Sequence, residues 1–215
     1  MTRLGIYTHN LRFYYNMLGE LRRWELPVVS LKAGTDSPKD VPVIFSSRND
    51  LLFFPNQIRG DIPIEMIRHV LPKILGEGLF GQIIIGIDPG PKPGVAVLAD
   101  NILLEAREFV EMHLLREFVN QVKEHYEYED ILLRIGHGDK PNRDKIVNVL
   151  LPVGIRIIIV NEEGTSMPHQ THDNIISAAR IADIDRFNRT GRKNIVGKTR
   201  RTQLEEEFVT IKNYI

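Results

Sequence analysis

At 215 residues the chain is long enough for one sizeable α/β domain or two small ones. Its 42% hydrophobic and 26% charged content is that of an ordinary folded protein, so disorder is not the default. The absence of cysteine excludes disulfides, thiolate catalysis and cysteine zinc sites, leaving oxygen or imidazole as metal ligands. Lys plus Arg equals Asp plus Glu at 28 each, so any nucleic-acid footprint must be local. No apolar run approaches the roughly 20 residues that span a bilayer, and Met1-Thr-Arg-Leu-Gly-Ile lacks the pattern of a signal peptide. The expectation is a cytoplasmic protein with no membrane partner.

Residues 4–8 read as a short strand, and 11–24 as a helix with Leu11, Tyr14, Tyr15, Leu18 and Leu21 at helical spacing. Pro27 ends that helix. Strands are expected at 28–31 and 41–45, separated by the turn-rich 33–38, and Pro63 opens a helix running towards residue 75. This is a small βαββα unit, residues 1–79, with Gly76-Glu-Gly78 as its boundary. Helical spacing assigns Phe13-Tyr-Tyr15 to core packing rather than to base stacking.

The character changes at Gln82. Residues 83–87 form a continuous apolar run, as expected of a strand buried on both faces, and Asp88 closes it. Short strands at 95–98 and 102–110 complete a three-strand antiparallel meander. A helix follows with Leu114, Leu115, Phe118, Val119 and Val122 on one side. Next come a strand at 131–135, the loop Gly136-His-Gly-Asp-Lys-Pro141, a short helix to 148 and a strand at 155–160. Alternation of strand and helix implies parallel pairing here. After the polar stretch 161–172, a helix at 173–187 carries Ile176, Ala179 and Ala182 on one face.

This βββαβαβα order has an acid ending its first strand and another opening its last helix. It resembles the RNase H-like superfamily, and within it the RuvC and YqgF branch, over residues 81 to about 187. The matching residues are Gly86-Ile-Asp-Pro-Gly90 with Gly94-Val-Ala96, Val160-Asn-Glu-Glu-Gly-Thr-Ser166, and Asp173-Asn-Ile-Ile-Ser-Ala-Ala179. The resemblance implies an RNase H-like domain at 80–187 with Asp88 and Asp173 as ligands of Mg²⁺ or Mn²⁺ and Glu162 completing the set. Two such ions about 4 Å apart can supply a nucleophilic water and stabilise a leaving oxygen, and magnesium takes oxygen ligands.

The chain departs from the branch in ways that widen the site. Asn161 stands where YqgF has an acid, and Glu163 and Gly164 replace its Arg and Leu, so Glu163 is an additional candidate. RuvC has a Glu on its fourth strand, where Leu133-Arg-Ile-Gly136 has none and Asp139 is the nearest acid. His172, beside Asp173, is a further candidate because an imidazole can serve as general acid or base near neutral pH. The ordinary uses of these residues are a turn for Asp88, a helix cap for Asp173 and solvated loop charges for Glu162 and Glu163. Gly90-Pro-Lys-Pro-Gly94 lacks the Gly-Lys-(Ser/Thr) ending and the following helix of a P-loop, which excludes a P-loop NTPase.

From 185 to 201 the chain carries Arg186, Arg189, Arg192, Lys193, Lys198, Arg200 and Arg201 against one acid. This basic extension, 188–215 with a short helix, offers Arg192, Lys193, Lys198, Arg200 and Arg201 as phosphate contacts. Glu205-Glu-Glu207 is the competing partner for them. Two functions follow. One is a metal-dependent nuclease acting on branched DNA or structured RNA, with a two-fold dimer implied where a junction is the substrate. The other is a non-catalytic nucleic-acid-binding or assembly protein that kept the fold.

Overall fold

The computed structural model describes residues 3–32, 39–51, 53–161, 173–186 and 198–214. The protein is α/β throughout and divides into two units, one of Met1–Leu79 with His125–Glu127 and Ile211–Ile215, the other of Phe80–Glu124 with Tyr128–Thr210.

The first unit contains β1 (Leu4–Ile6), α1 (Leu11–Arg23), β2 (Val28–Ser30), β3 (Ile44–Ser47), β4 (Gln57–Gly60) and α2 (Pro63–Ile74). Its strands lie in the order β2-β1-β3-β4, all parallel. The sequence pattern missed β4, so the unit is βαβββα rather than βαββα. Gln-Ile-Arg-Gly offers a single β-branched residue, and the strand exists through its ladder with β3. Asn10 caps α1 by accepting from the Phe13 N–H, and the helix buries Phe13, Met17 and Leu21. The expected stripe is therefore rotated: Leu11 and Tyr15 are exposed, and only Phe13 of the aromatic triplet is buried. Both stripes have helical spacing, and the sheet beneath selects one.

The second unit contains β5 (Phe80–Asp88), β6 (Gly94–Ala99), β7 (Ile102–Glu108), α3 (Met112–His125), β8 (Tyr128–Gly136), α4 (Lys140–Leu150), β9 (Arg156–Val160), α5 (Asn174–Ala182), α6 (Arg200–Glu207) and β10 (Val209–Thr210). Its sheet order is β10-β7-β6-β5-β8-β9. The β5-β6-β7 meander is antiparallel, and β8 and β9 continue in parallel as the strand-helix alternation requires. The C-terminal β10 adds a short parallel edge to β7, unforeseen in a two-residue strand.

Residue alternation on β5 sets the geometry of everything below. Ile83, Ile85 and Ile87 are wholly buried on one face. Ile84, Gly86 and Asp88 point to the other, where Ala96, Leu98 and Leu103 pack with Ala178, Ala179 and Ala182 of α5 and with Phe208. No helix among the described residues is long and apolar enough to cross a membrane.

Candidate functional site

The site begins with two glycines that let α5 lie directly on the sheet. A Cβ on Gly86 would stand 2.2 Å from the Ala178 carbonyl oxygen, and one on Gly94 would stand 1.9 Å from that of Asn174. Gly94 pairs with Asp88 on one side and with Glu108 on the other. Paired residues project to the same face of a sheet, so Asp88, Gly94 and Glu108 form one row beneath the first turn of α5. Gly94→Ala is expected to destabilise the second unit by about 1–3 kcal/mol or more, because the obstacle is helix backbone rather than a movable side chain. Urea denaturation measures it, and an unchanged midpoint would refute the close approach.

Asp88 is buried, 4% exposed, at the end of the central strand. A buried carboxylate is costly unless compensated, and the first turn of α5 rests on Gly94, the residue paired with Asp88. Asp173 arrives at the same end of the same face, as the residue preceding Asn174. Asp173 thus precedes the helix turn that rests on Gly94, the ladder partner of Asp88, and the strand register adds to the row Glu108, which sequence reasoning missed. Its only signal was the hairpin register that sets it opposite Gly94.

Asp173 also does the ordinary work of a helix cap. Its Oδ1 accepts from the N–H groups of Ile175 at 3.0 Å and Ile176 at 3.2 Å. Its Oδ2 accepts from Arg200 Nε at 2.6 Å, and the same guanidinium lies 3.7 Å from Glu108. The hydrogen bond to Asp173 raises the Arg200 pKa, burial lowers it, and the charges of Asp173 and Glu108 raise it further; the net direction is up. Asn174 donates from its side chain to the Lys92 carbonyl at 2.8 Å, tying the loop after Asp88 to the start of α5.

The remaining candidates divide clearly. Asp139 caps α4: its Oδ1 accepts from the Asn142 N–H at 3.3 Å and its Oδ2 from the Asn142 side chain at 2.7 Å, with a left-handed φ of 33°. Lys198 pairs with Glu206 and Arg201 with Glu205, so the acidic run after the basic stretch does take up these cations. Glu162, Glu163, His172, Arg192 and Lys193 lie outside the described residues. Among the described residues no group of three or more His, Asp or Glu is placed to hold a metal ion. The donors at the row are nevertheless all carboxylate oxygens, the chemistry a hard divalent cation takes. A cavity of about 640 Å³, lined by Ile84, Leu98, Arg134 and Asp183 among others, lies at the other end of α5, away from this row.

In the first unit, β2 follows β1 on one side and β3 on the other, which makes the carboxyl ends of β1 and β3 a topological switch point. There the buried Asp50 accepts from the His9 N–H at 2.9 Å and from the Ser47 N–H and hydroxyl, each at 2.8 Å. Burial raises the Asp50 pKa, but these hydrogen bonds and one from Thr8 outweigh it, and the net shift is downward. A depressed folded-state pKa contributes stability that is full above the unfolded value of about 3.9 and is lost as pH falls through the folded one. Asp50→Asn should therefore lower stability at pH 7 and lessen its decline below pH 4, as read by denaturation at several pH values. An unaltered pH profile would show that the clamp is not linked to folding.

Against this geometry, a family described as the response regulator receiver-like domain matches residues 3–74, about a third of the chain. The match falls on the β2-β1-β3-β4 unit and stops before β5. No curated protein matches the chain.

Proposed function

We propose that the second unit is an RNase H-like, metal-dependent nuclease of the RuvC and YqgF type, cleaving phosphodiester bonds in branched DNA or structured RNA. The observation that carries this reading is the buried Asp88 at the end of the central strand, on the face and at the end where α5 begins with Asp173. Asp88 and Asp173 would hold Mg²⁺ or Mn²⁺, joined by Glu162 on the resemblance. A divalent pair held there supplies a polarised water and stabilises the leaving oxygen's charge. The chain's own part would be to fix the carboxylates: the β5–β6 register sets Asp88 opposite Gly94, and Gly86 and Gly94 seat the helix whose cap is Asp173. Lys198, Arg200 and Arg201, with Arg192 and Lys193, would contact the phosphates, and a two-fold dimer suits a two-fold substrate.

One observation favours a second reading, a nucleic-acid-binding module without catalysis. Asp173 already satisfies a helix cap and an arginine, and among the described residues no group of three His, Asp or Glu is placed to hold a metal ion. The receiver-like match of residues 3–74 would add a regulatory role for the first unit to either reading.

Cleavage of branched DNA and structured RNA by the full chain, with Mg²⁺ or Mn²⁺ and with chelator, separates the two. Cleavage that requires metal supports the nuclease. Tight binding without cleavage on any substrate supports the module.

A further inference from the structure

We propose that Arg200 is an intramolecular cation that closes the acidic end of this site to divalent metal until a nucleic-acid phosphate draws it away; the inference rests on the nuclease reading above. Helix α6 is a lever with one firm end and one loose end. At its C-terminus Glu207 accepts from Arg180 of α5 at 2.9 and 2.7 Å, and both side chains are buried. Phe208 sits in the apolar cluster under α5, Leu204 packs against it, and β10 follows on the edge of β7. At the other end Arg200, the first helical residue, is half-exposed and reaches Asp173 and Glu108. Exposed pairs hold far more weakly than buried bidentate ones, so the lever releases at Arg200 first.

What Arg200 holds is the oxygen a metal would need. Asp173 Oδ1 is committed to the first turn of α5, and Oδ2 takes the guanidinium. Lys198 and Arg201 pair within the α6 segment itself, with Glu206 and Glu205, whereas Arg200 reaches acids on two other elements. Arg200 and a divalent cation therefore compete for one carboxylate. A guanidinium fork also matches a phosphate, so the substrate removes the competitor. By linkage, nucleic acid and metal then tighten each other's binding by the same factor.

The test is a Mn²⁺ titration of the full chain, read by the electron paramagnetic resonance of free Mn²⁺, with oligonucleotide affinity measured separately in chelator. Arg200→Gln should bind Mn²⁺ about tenfold more tightly than wild type, and Asp88→Asn in that background should abolish the gain. Arg200→Lys keeps the cation and should stay near wild type; Arg200→Met removes it and takes the place of Arg200→Gln if the latter does not melt like wild type. In chelator, Arg200→Gln should bind a short single strand more weakly, with the salt slope shallower by about one phosphate contact. Equal Mn²⁺ affinity in wild type and Arg200→Gln, lost with Asp88→Asn, overturns the closure and leaves the metal site standing. Mn²⁺ bound by no variant overturns the nuclease reading and the closure with it. Tighter Mn²⁺ with unchanged oligonucleotide binding overturns phosphate as the releasing ligand.

Discussion

On the proposed nuclease reading, Asp88→Asn is expected to lower metal-dependent cleavage by on the order of 10³- to 10⁵-fold while leaving the fold intact. The substitution keeps the shape of a side chain that is 4% exposed, so the packing of Gly94 against Asn174 has no reason to change. It removes one negative charge near the head of α5, which forfeits about 0.3–1 kcal/mol of helix-dipole stabilisation and relieves the cost of burying that charge. Stability should therefore move little. Single-turnover rates and thermal melts of both proteins decide the matter. Equal cleavage by the variant would trace the activity to another site, and a collapsed melt would make Asp88 a structural residue first. In the same assay Glu162→Gln should lose more than Glu163→Gln, because the resemblance assigns the ligand to Glu162.

Glu207→Ala is expected to destabilise the second unit by about 3–5 kcal/mol, the largest effect on folding foreseen here. The Arg180–Glu207 pair is buried on both sides, and Gln203 adds a third hydrogen bond to Glu207 at 3.0 Å. Truncation leaves the Arg180 guanidinium buried and without its carboxylate, which is far worse than having no charge there at all. The contrast supplies the test. Arg180→Met with Glu207→Leu should fall within about 1–2 kcal/mol of wild type in urea denaturation, since an apolar replacement of a buried pair is often neutral or better. If the double variant is as unstable as Glu207→Ala, the loss comes from packing and not from removal of the carboxylate beside Arg180.

The backbone of the second unit was legible from local pattern. An apolar run such as Ile83-Ile-Ile-Gly-Ile must be buried on both faces, and a turn as short as that after Asp88 can only return the chain antiparallel. The 3.6-residue stripe in 112–125 needs no partner to be read as a helix. Legibility failed where two local solutions were equally good or where the stabilising partner was remote. On α1, Leu11 and Tyr15 lost to Phe13 and Met17 because the sheet beneath admits one stripe. Strand β4 was invisible because Gln57-Ile-Arg-Gly60 has little β preference of its own.

The candidate site shows the same division. Periodicity placed Asp88 at a strand end and Asp173 at a helix start, since both follow from hydrogen-bonding groups within a few residues of each other. That Glu108 shares a row with Asp88 follows from cross-strand register, and that Arg200 rests on Asp173 and Glu108 follows from how α6 is anchored through Arg180 and Glu207. Asp173 with Arg200 and Arg180 with Glu207 each join residues 27 positions apart. Charge composition alone leaves Arg200 equally suited to a phosphate, to Glu205 or to Asp173, because electrostatic attraction acts through distance in space and is blind to distance along the chain. Only the packing of α5 on Gly86 and Gly94, with Phe208 and Leu204 drawing α6 onto the same face, sets the distances that decide among them.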